Sequence, residues 1–265
     1  QSSLDATKIE IEQTGQRIAA RTRIDDVVGG LLHWLGMGHK PAKVFYEVSA
    51  PRQSATIAQT VNGGIVLAAL TNRAEGKTVN GSVSLADASG DVRAKSVNGS
   101  IIVERAQGTG EFESVSGAID VKSGQMTSLA LKTISGAVRA ETTIAPDGRY
   151  EFSTTNGDCL LTIPFTSQCD IEMSAVNGGV ECELPYRNDA SEMRPGFSRW
   201  RAQINGGGAR VSFKTINGRL KVRGSGEPIS APPSPADGAT MDVLRAIERG
   251  ELSVQDAIKK LERGG

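Results

Sequence analysis

The sequence predicts an all-β fold: a parallel, right-handed β-solenoid (β-helix) of about nine coils of 18–21 residues, followed by a small C-terminal helical hairpin. Three observations predict it. The stretch from Val61 to Ser123 divides into seven consecutive nine-residue frames. Positions 1, 5 and 7 of the frames are mostly apolar and position 3 is mostly Gly. Every second frame opens with Val-Asn-Gly or Val-Ser-Gly, so the repeat is 18 residues in two unequal halves. A fixed period of this length marks a solenoid, in which each coil touches only its neighbours.

Composition agrees. Gly is high, at 31 of 265 residues, and aromatic residues make up 4%, which suits thin stacked coils with regular turns. Thirty basic residues balance thirty acidic ones, so no field favours nucleic acid or an anionic membrane. No run of 18 apolar residues is present, so no transmembrane segment is expected. A chain that opens on Gln1 is expected to be a processed or trimmed product.

Taken in order, residues 1–41 read as N-terminal strands and a capping segment. Lys8 to Glu12 and Arg17 to Arg21 alternate with period two, the mark of strands with one buried face. The Gly-rich apolar run Val27 to His39, with Trp34 at its centre, reads as a cover for the first coil or as an exposed partner-binding loop. His33 and His39 lack metal-like spacing and nearby Cys. The repeat domain spans 42–223 and begins with Lys43 to Ser49, where Tyr46 and Val48 point inward. Gly124 inserts one residue and Pro146-Asp147-Gly148 marks a longer turn, so coils lengthen from 18 to 19 and then 21 residues. Pro185 to Arg201 interrupts the array, and Arg194, Phe197, Arg199 and Trp200 make it a candidate interaction loop. Residues 224–240 are Pro- and Ser-rich and read as a flexible linker. Residues 241–265 change to helical periodicity. Leu244 and Ile247 fall on one face, as do Ile258 and Leu261; Gly250 stops the first helix, and Ser253 with Asp256 caps the second.

Strand residues alternate, so positions 5 and 7 face one core. Gly63, Gly81, Gly99, Gly117, Gly136, Gly157, Gly178 and Gly218 are expected to serve the turns through positive φ. Stacking about 4.8 Å apart places Asn62, Asn80, Asn98, Asn156 and Asn177 in one ladder whose amides bond along the stack, with Asn217 in the closing motif. These Asn and Gly residues are therefore structural. Cys159 and Cys182 fall at apolar positions and read as small buried hydrophobes, whereas Cys169 falls at a turn and reads as exposed.

Tyr46-Glu47-Val48-Ser49-Ala50-Pro51, the Val-Asn-Gly turns, and Gly206-Gly207-Gly208 followed by Thr215-Ile216-Asn217-Gly218 resemble the bacterial β-strand-repeat, adhesin-like family of unknown function. That resemblance spans about residues 42–223. It implies a parallel β-solenoid, a place at the cell envelope and no defined catalytic set. Leu244 through Ala257 is similar to the short SHOCT-like helical module, which implies oligomerisation or anchoring.

The sequence shows no catalytic, cofactor-binding or metal-ligating constellation. No phosphate loop, Ser-His-Asp set or CxxC pair is present, and the Asp pattern of calcium-binding nonapeptide repeats fails. The expectation is a non-enzymatic envelope scaffold or adhesin-like module with a protein partner or self-association. The alternatives are an envelope-stress or regulatory component, cytoplasmic in one version, acting through the helical pair, and a carbohydrate-active β-helix enzyme. The last needs convergent acids, but Asp91, Glu104, Glu111, Glu113 and Asp120 lie scattered among Lys and Arg.

Overall fold

The computed structural model describes residues 7–24, 44–194 and 196–226, and the chain divides into two units, Gln1–Ala50 and Pro51–Gly265. In the first unit, β1 (Thr7–Thr14) and β2 (Arg17–Ile24) form an antiparallel hairpin that turns at Gly15 (φ 60°). The expected buried face is not there, because Ile9, Ile11 and Ile18 are all exposed. Residues 44–50 form no strand, and Tyr46 and Val48 are exposed, not inward. Trp34 and the run around it lie outside the described residues.

The second unit is an all-β parallel solenoid. Six turns run in chain order. β3 (Thr56–Asn62), β5 (Arg73–Asn80), β7 (Ser89–Asn98) and β9 (Gln107–Ser116) stack in parallel on one side. β4 (Ile65–Ala68), β6 (Val83–Ala86) and β8 (Ile101–Glu104) stack on the other. β10 (Ile119–Ser135) and β11 (Val138–Asn156) each cross from the second side to the first. β12 (Cys159–Pro164) completes the sixth turn by pairing with the start of β11. The inserted residues become register breaks: near Gly124 between Lys122 and Gln125, and around 145–148, where pairing jumps from Ile144 to Arg149.

After β12 the layers no longer follow the chain. β13 (Cys169–Asn177) and β14 (Val180–Cys182) do not stack on the sixth turn. That position is taken by the last strands in the sequence, β17 (Ala209–Asn217) and β18 (Leu220–Ser225). β17 is hydrogen-bonded in parallel to β11 on one edge and to β13 on the other, and β18 likewise separates β12 from β14. The interruption at 185–201 is a second hairpin, β15 (Tyr186–Arg194) and β16 (Phe197–Ile204), with β16 antiparallel to β13. The structure thus has about six turns in order, then an out-of-order layer and a hairpin, where the sequence suggests about nine equivalent coils. β18 also extends through Ser225, so Gly224 and Ser225 belong to a strand and not to the linker. The helical pair lies outside the described residues.

The core follows the alternation. Val83, Ile101, Ile119, Val138, Cys159 and Leu220 form one buried column on the second side. On the first side the column Ala58, Gly76, Ala94, Phe112, Leu131, Phe152, Phe213 widens just where the coils lengthen. Phe152 and Phe213 stack with centroids 4.8 Å apart. Tyr150 is buried at the longest turn, where its hydroxyl accepts from the Ala145 amide at 2.8 Å and donates to the Met126 carbonyl. Cys159 and Cys169 are fully buried, which reverses the expectation for Cys169: β13 begins there and is paired on both edges. Desolvation pushes both thiols up to about 12.

The glycine column has a second cause beside the expected one. Gly63, Gly157 and Gly218 do adopt positive φ (148°, 155° and 152°), whereas Gly99, Gly117, Gly136 and Gly178 do not and Gly81 (φ 159°) is nearly extended. What excludes a side chain is the layer below. A Cβ on Gly99 would lie 2.0 Å from the Gly81 carbonyl oxygen, and one on Gly117 2.1 Å from that of Gly99. Gly99→Ala must therefore separate two layers and is expected to cost about 3 kcal/mol. Gly64→Ala, whose Cβ would sit 3.5 Å from the nearest atom, should stay within about 0.5 kcal/mol. Urea denaturation midpoints of the two variants check this.

Candidate interaction surface

Four consecutive residues build each layer's edge on the first side, and each has one task. The first is Ser or Thr in every layer but that of Asn177, where it is Ala175, and from the second layer on its buried hydroxyl donates to the glycine carbonyl of the layer before. Thr78 reaches Gly63 at 3.0 Å, Ser96 reaches Gly81 at 2.9 Å, and Ser114 reaches Gly99 at 3.1 Å. Thr133, Thr154 and Thr215 continue the series onto Gly117, Gly136 and Gly157. The sequence carries a signal for this hydroxyl ladder in seven of the eight layers, with Thr60, Thr78, Ser96, Ser114, Thr133, Thr154 and Thr215 each two residues before an Asn or Ser, and Ala175 in the remaining one.

The third residue of the edge is Asn or Ser. Asn80 donates its amide to Asn62 at 2.8 Å and Asn98 donates to Asn80 at 2.9 Å. Ser116 and Ser135 occupy the next two layers, then Asn217 donates to Asn156 at 2.7 Å and Asn177 donates to Asn217 at 3.0 Å. The column is therefore two amide runs separated by two serines, and Asn156 and Asn177 meet only through Asn217. The fourth residue is the stacked glycine.

The second residue points outward, and it is β-branched in every layer. Val61, Val79, Val97, Val115, Ile134, Ile216 and Val176 are between 38% and 61% exposed, with Thr155 filling the remaining layer. Its layers are ordered by the strand register, so these side chains form one stripe beside the amide column, apolar in every layer but the sixth, where Thr155 stands between Ile134 and Ile216. Eight layers about 4.8 Å apart make it about 34 Å long.

Elsewhere on that face charged side chains pair with one another. Arg93 reaches Asp91 at 2.9 Å and Glu111 at 3.7 Å; Lys95 reaches Glu113 at 2.8 Å. Glu75 is buried between Arg73, at 2.6 Å, and Lys77. The Lys77 hydrogen bond, opposed by desolvation, holds the Glu75 carboxyl below its ordinary value; the Lys95 hydrogen bond does the same for Glu113. On the opposite corner Ala69, Asp87 and Arg105 repeat an αL conformation (φ 56°, 51° and 53°), and Arg105 clamps Asp87 through two bonds of 2.6 and 2.9 Å. A shallow hollow there is lined by Arg52, Ala69, Thr71 and Asp87, and its one carboxylate is the clamped one. The described residues hold no group of three or more His, Cys, Asp or Glu placed to bind a metal ion, and no helix long and apolar enough to cross a membrane.

Of the hairpin candidates, Trp200 is turned into the fold, whereas Arg194 and Arg199 keep exposed side chains. Trp200 is 6% exposed and packs edge-to-face on Tyr186 at 4.9 Å. Arg199 and Arg201 both bind Glu172, at 2.5 and 3.1 Å, Arg194 pairs with Glu192 at 2.7 Å, and Phe197 is half-buried. Leu244, Ile247, Ile258 and Leu261 lie outside the described residues.

Fold and surface together define a parallel β-solenoid with an exposed apolar stripe. A scan against family models finds no match, and searches of curated proteins and of solved structures find none either.

The carboxylates fix the sign of the pH response. Glu75, Glu113 and Glu172 all have folded values lowered by their cations, so their contribution is present above about 4.5 and is lost as pH falls through the folded values. The urea midpoint should fall between about pH 5 and pH 3, and Lys95→Met should flatten that slope by removing the partner of Glu113.

Proposed function

We propose that this chain is a non-enzymatic scaffold of the bacterial cell envelope, adhesin-like in character, that holds a protein partner along the Val/Asn edge. The observation that carries the reading is the stripe. Val79, Val97, Val115 and their neighbours stay exposed in register for about 34 Å, on a face whose other outward columns contain ion pairs such as Arg93–Asp91 and Lys95–Glu113. Contiguous apolar surface rimmed by polar groups is the usual form of a protein-binding site. The amide column beside it offers a free hydrogen-bonding edge at each serine and at the ends of the two Asn runs. Resemblance to the β-strand-repeat proteins supplies the envelope setting. The helical pair expected at 241–263 would add self-association. If removing 241–265 leaves the mass by light scattering unchanged, that part of the proposal falls.

The surface is tested by the triple variant Val79→Lys, Val97→Lys, Val115→Lys. All three side chains are exposed, so the urea midpoint should shift by no more than about 0.5 kcal/mol per site. Retention of envelope-fraction protein on the immobilised chain should fall at least about tenfold. Equal retention by the variant and the wild type would overturn the assignment.

A further inference from the structure

The last strands of the described chain lie inside the stack. Residues 209–225 sit between the sixth turn and the β13–β14 layer, so without them these two would face each other across a gap one layer wide. The connection 165–168 spans this gap, since it carries the chain from β12 past the layer later filled by β17–β18 to β13. Both rims of the gap are backbone edges with unpaired donors and acceptors until residues 209–225 enter.

The gap is matched to what fills it. Asn217 accepts from Asn177 on one rim and donates to Asn156 on the other. The backbone amide of Arg219 donates to the Asp158 carboxylate at 2.7 Å. Lys221 reaches Glu181 and Glu183 on the opposite rim at 2.9 and 2.6 Å. Phe213 stacks on Phe152, and Gly218 lies where a Cβ would be 1.9 Å from the Gly157 carbonyl oxygen. The entrance is a hinge, Asn205 to Gly208, with all four residues at positive φ (49°, 90°, 80° and 147°). The Asn205 amide fastens it by donating to the carbonyls of Phe165 and Ser167 at 2.7 and 2.8 Å.

We propose that the gap between the sixth turn and the β13–β14 layer is an acceptor site for a strand–turn–strand segment of Thr-x-Asn-Gly pattern, filled here by the chain's own residues 209–225 and open to the same segment of a second copy. Identical segments make identical contacts in either chain, and the glycine hinge lets the segment leave its own gap without disturbing the six ordered turns. The partner is thus another molecule of this protein, joined by exchange of its last described layer.

The test uses the full chain carrying Gly218→Val, whose own segment no longer fits, and a fluorescent synthetic peptide of residues 205–226 as probe. The variant should keep the β signal of its six ordered turns in far-UV circular dichroism. It should co-elute with the wild-type peptide at least about tenfold more than the wild-type chain does. A peptide that itself carries Gly218→Val should not be retained. Equal retention by both chains, or retention of the altered peptide, would mean attachment to a free sheet edge and would overturn the proposal. Should the variant lose its β signal, hydrogen exchange of the wild-type chain decides: amides of 209–225 are expected to exchange at lower urea than those of 149–164, and exchange of both only with global unfolding overturns it.

Discussion

Everything in the solenoid rests on the closeness of one backbone contact. At the Asn-Gly edge a glycine in each layer sits so near the carbonyl of the glycine below that a methyl group would overlap it, at about 2 Å. This contact holds adjacent turns at the hydrogen-bonding distance of a β-ladder. It also brings the carbonyl within reach of the buried Ser or Thr hydroxyl of the next layer and lines up the amide column. Moving one glycine outward would lose the hydroxyl bond, the amide bond and the ladder bonds of that layer at once.

The second constraint is volume. Turns spaced by 18 residues carry Ala58, Gly76, Ala94 and Phe112 in this column, the longer spacings that follow carry Leu131 and Phe152, and Phe213 stacks on Phe152 from the out-of-order layer. Gly110 belongs to the same adjustment, because a Cβ there would press on Met126 and Leu129. The extra residues around 145–148 are accommodated by Tyr150, whose hydroxyl satisfies backbone groups that the register break leaves unpaired.

Much of this is legible in the residues themselves. The frames from Val61 to Ser123 specify the layer, its inward positions and its glycine, because period-two burial and the need for a bare Cα leave direct marks. Layer order leaves none. Thr154-Thr155-Asn156-Gly157, Ala175-Val176-Asn177-Gly178 and Thr215-Ile216-Asn217-Gly218 are interchangeable as edges, so the repeat says what a layer is and not which layer it rests on. Asn205 looks like an out-of-frame copy of the motif, and its role as a fastener between 165–168 and the hinge depends on contacts across forty residues of chain. Cys169 is buried against the expectation for the same reason: its cover comes from strands whose position the period does not encode. The apolar first position of the frames is plain in the residues, but its exposure is a property of the stack and not of the frame.

The antiparallel hairpin gives the stack a direction. One end, at β3 and β4, is a parallel-type edge that another turn of the same kind would continue in register. At the other end β16 runs against β13 and β15 against β16, so two antiparallel ladders follow the last parallel one on that side. The two ends of the described stack are therefore unlike: one presents the repeat itself, the other a hairpin whose ladder spacing the repeat does not use.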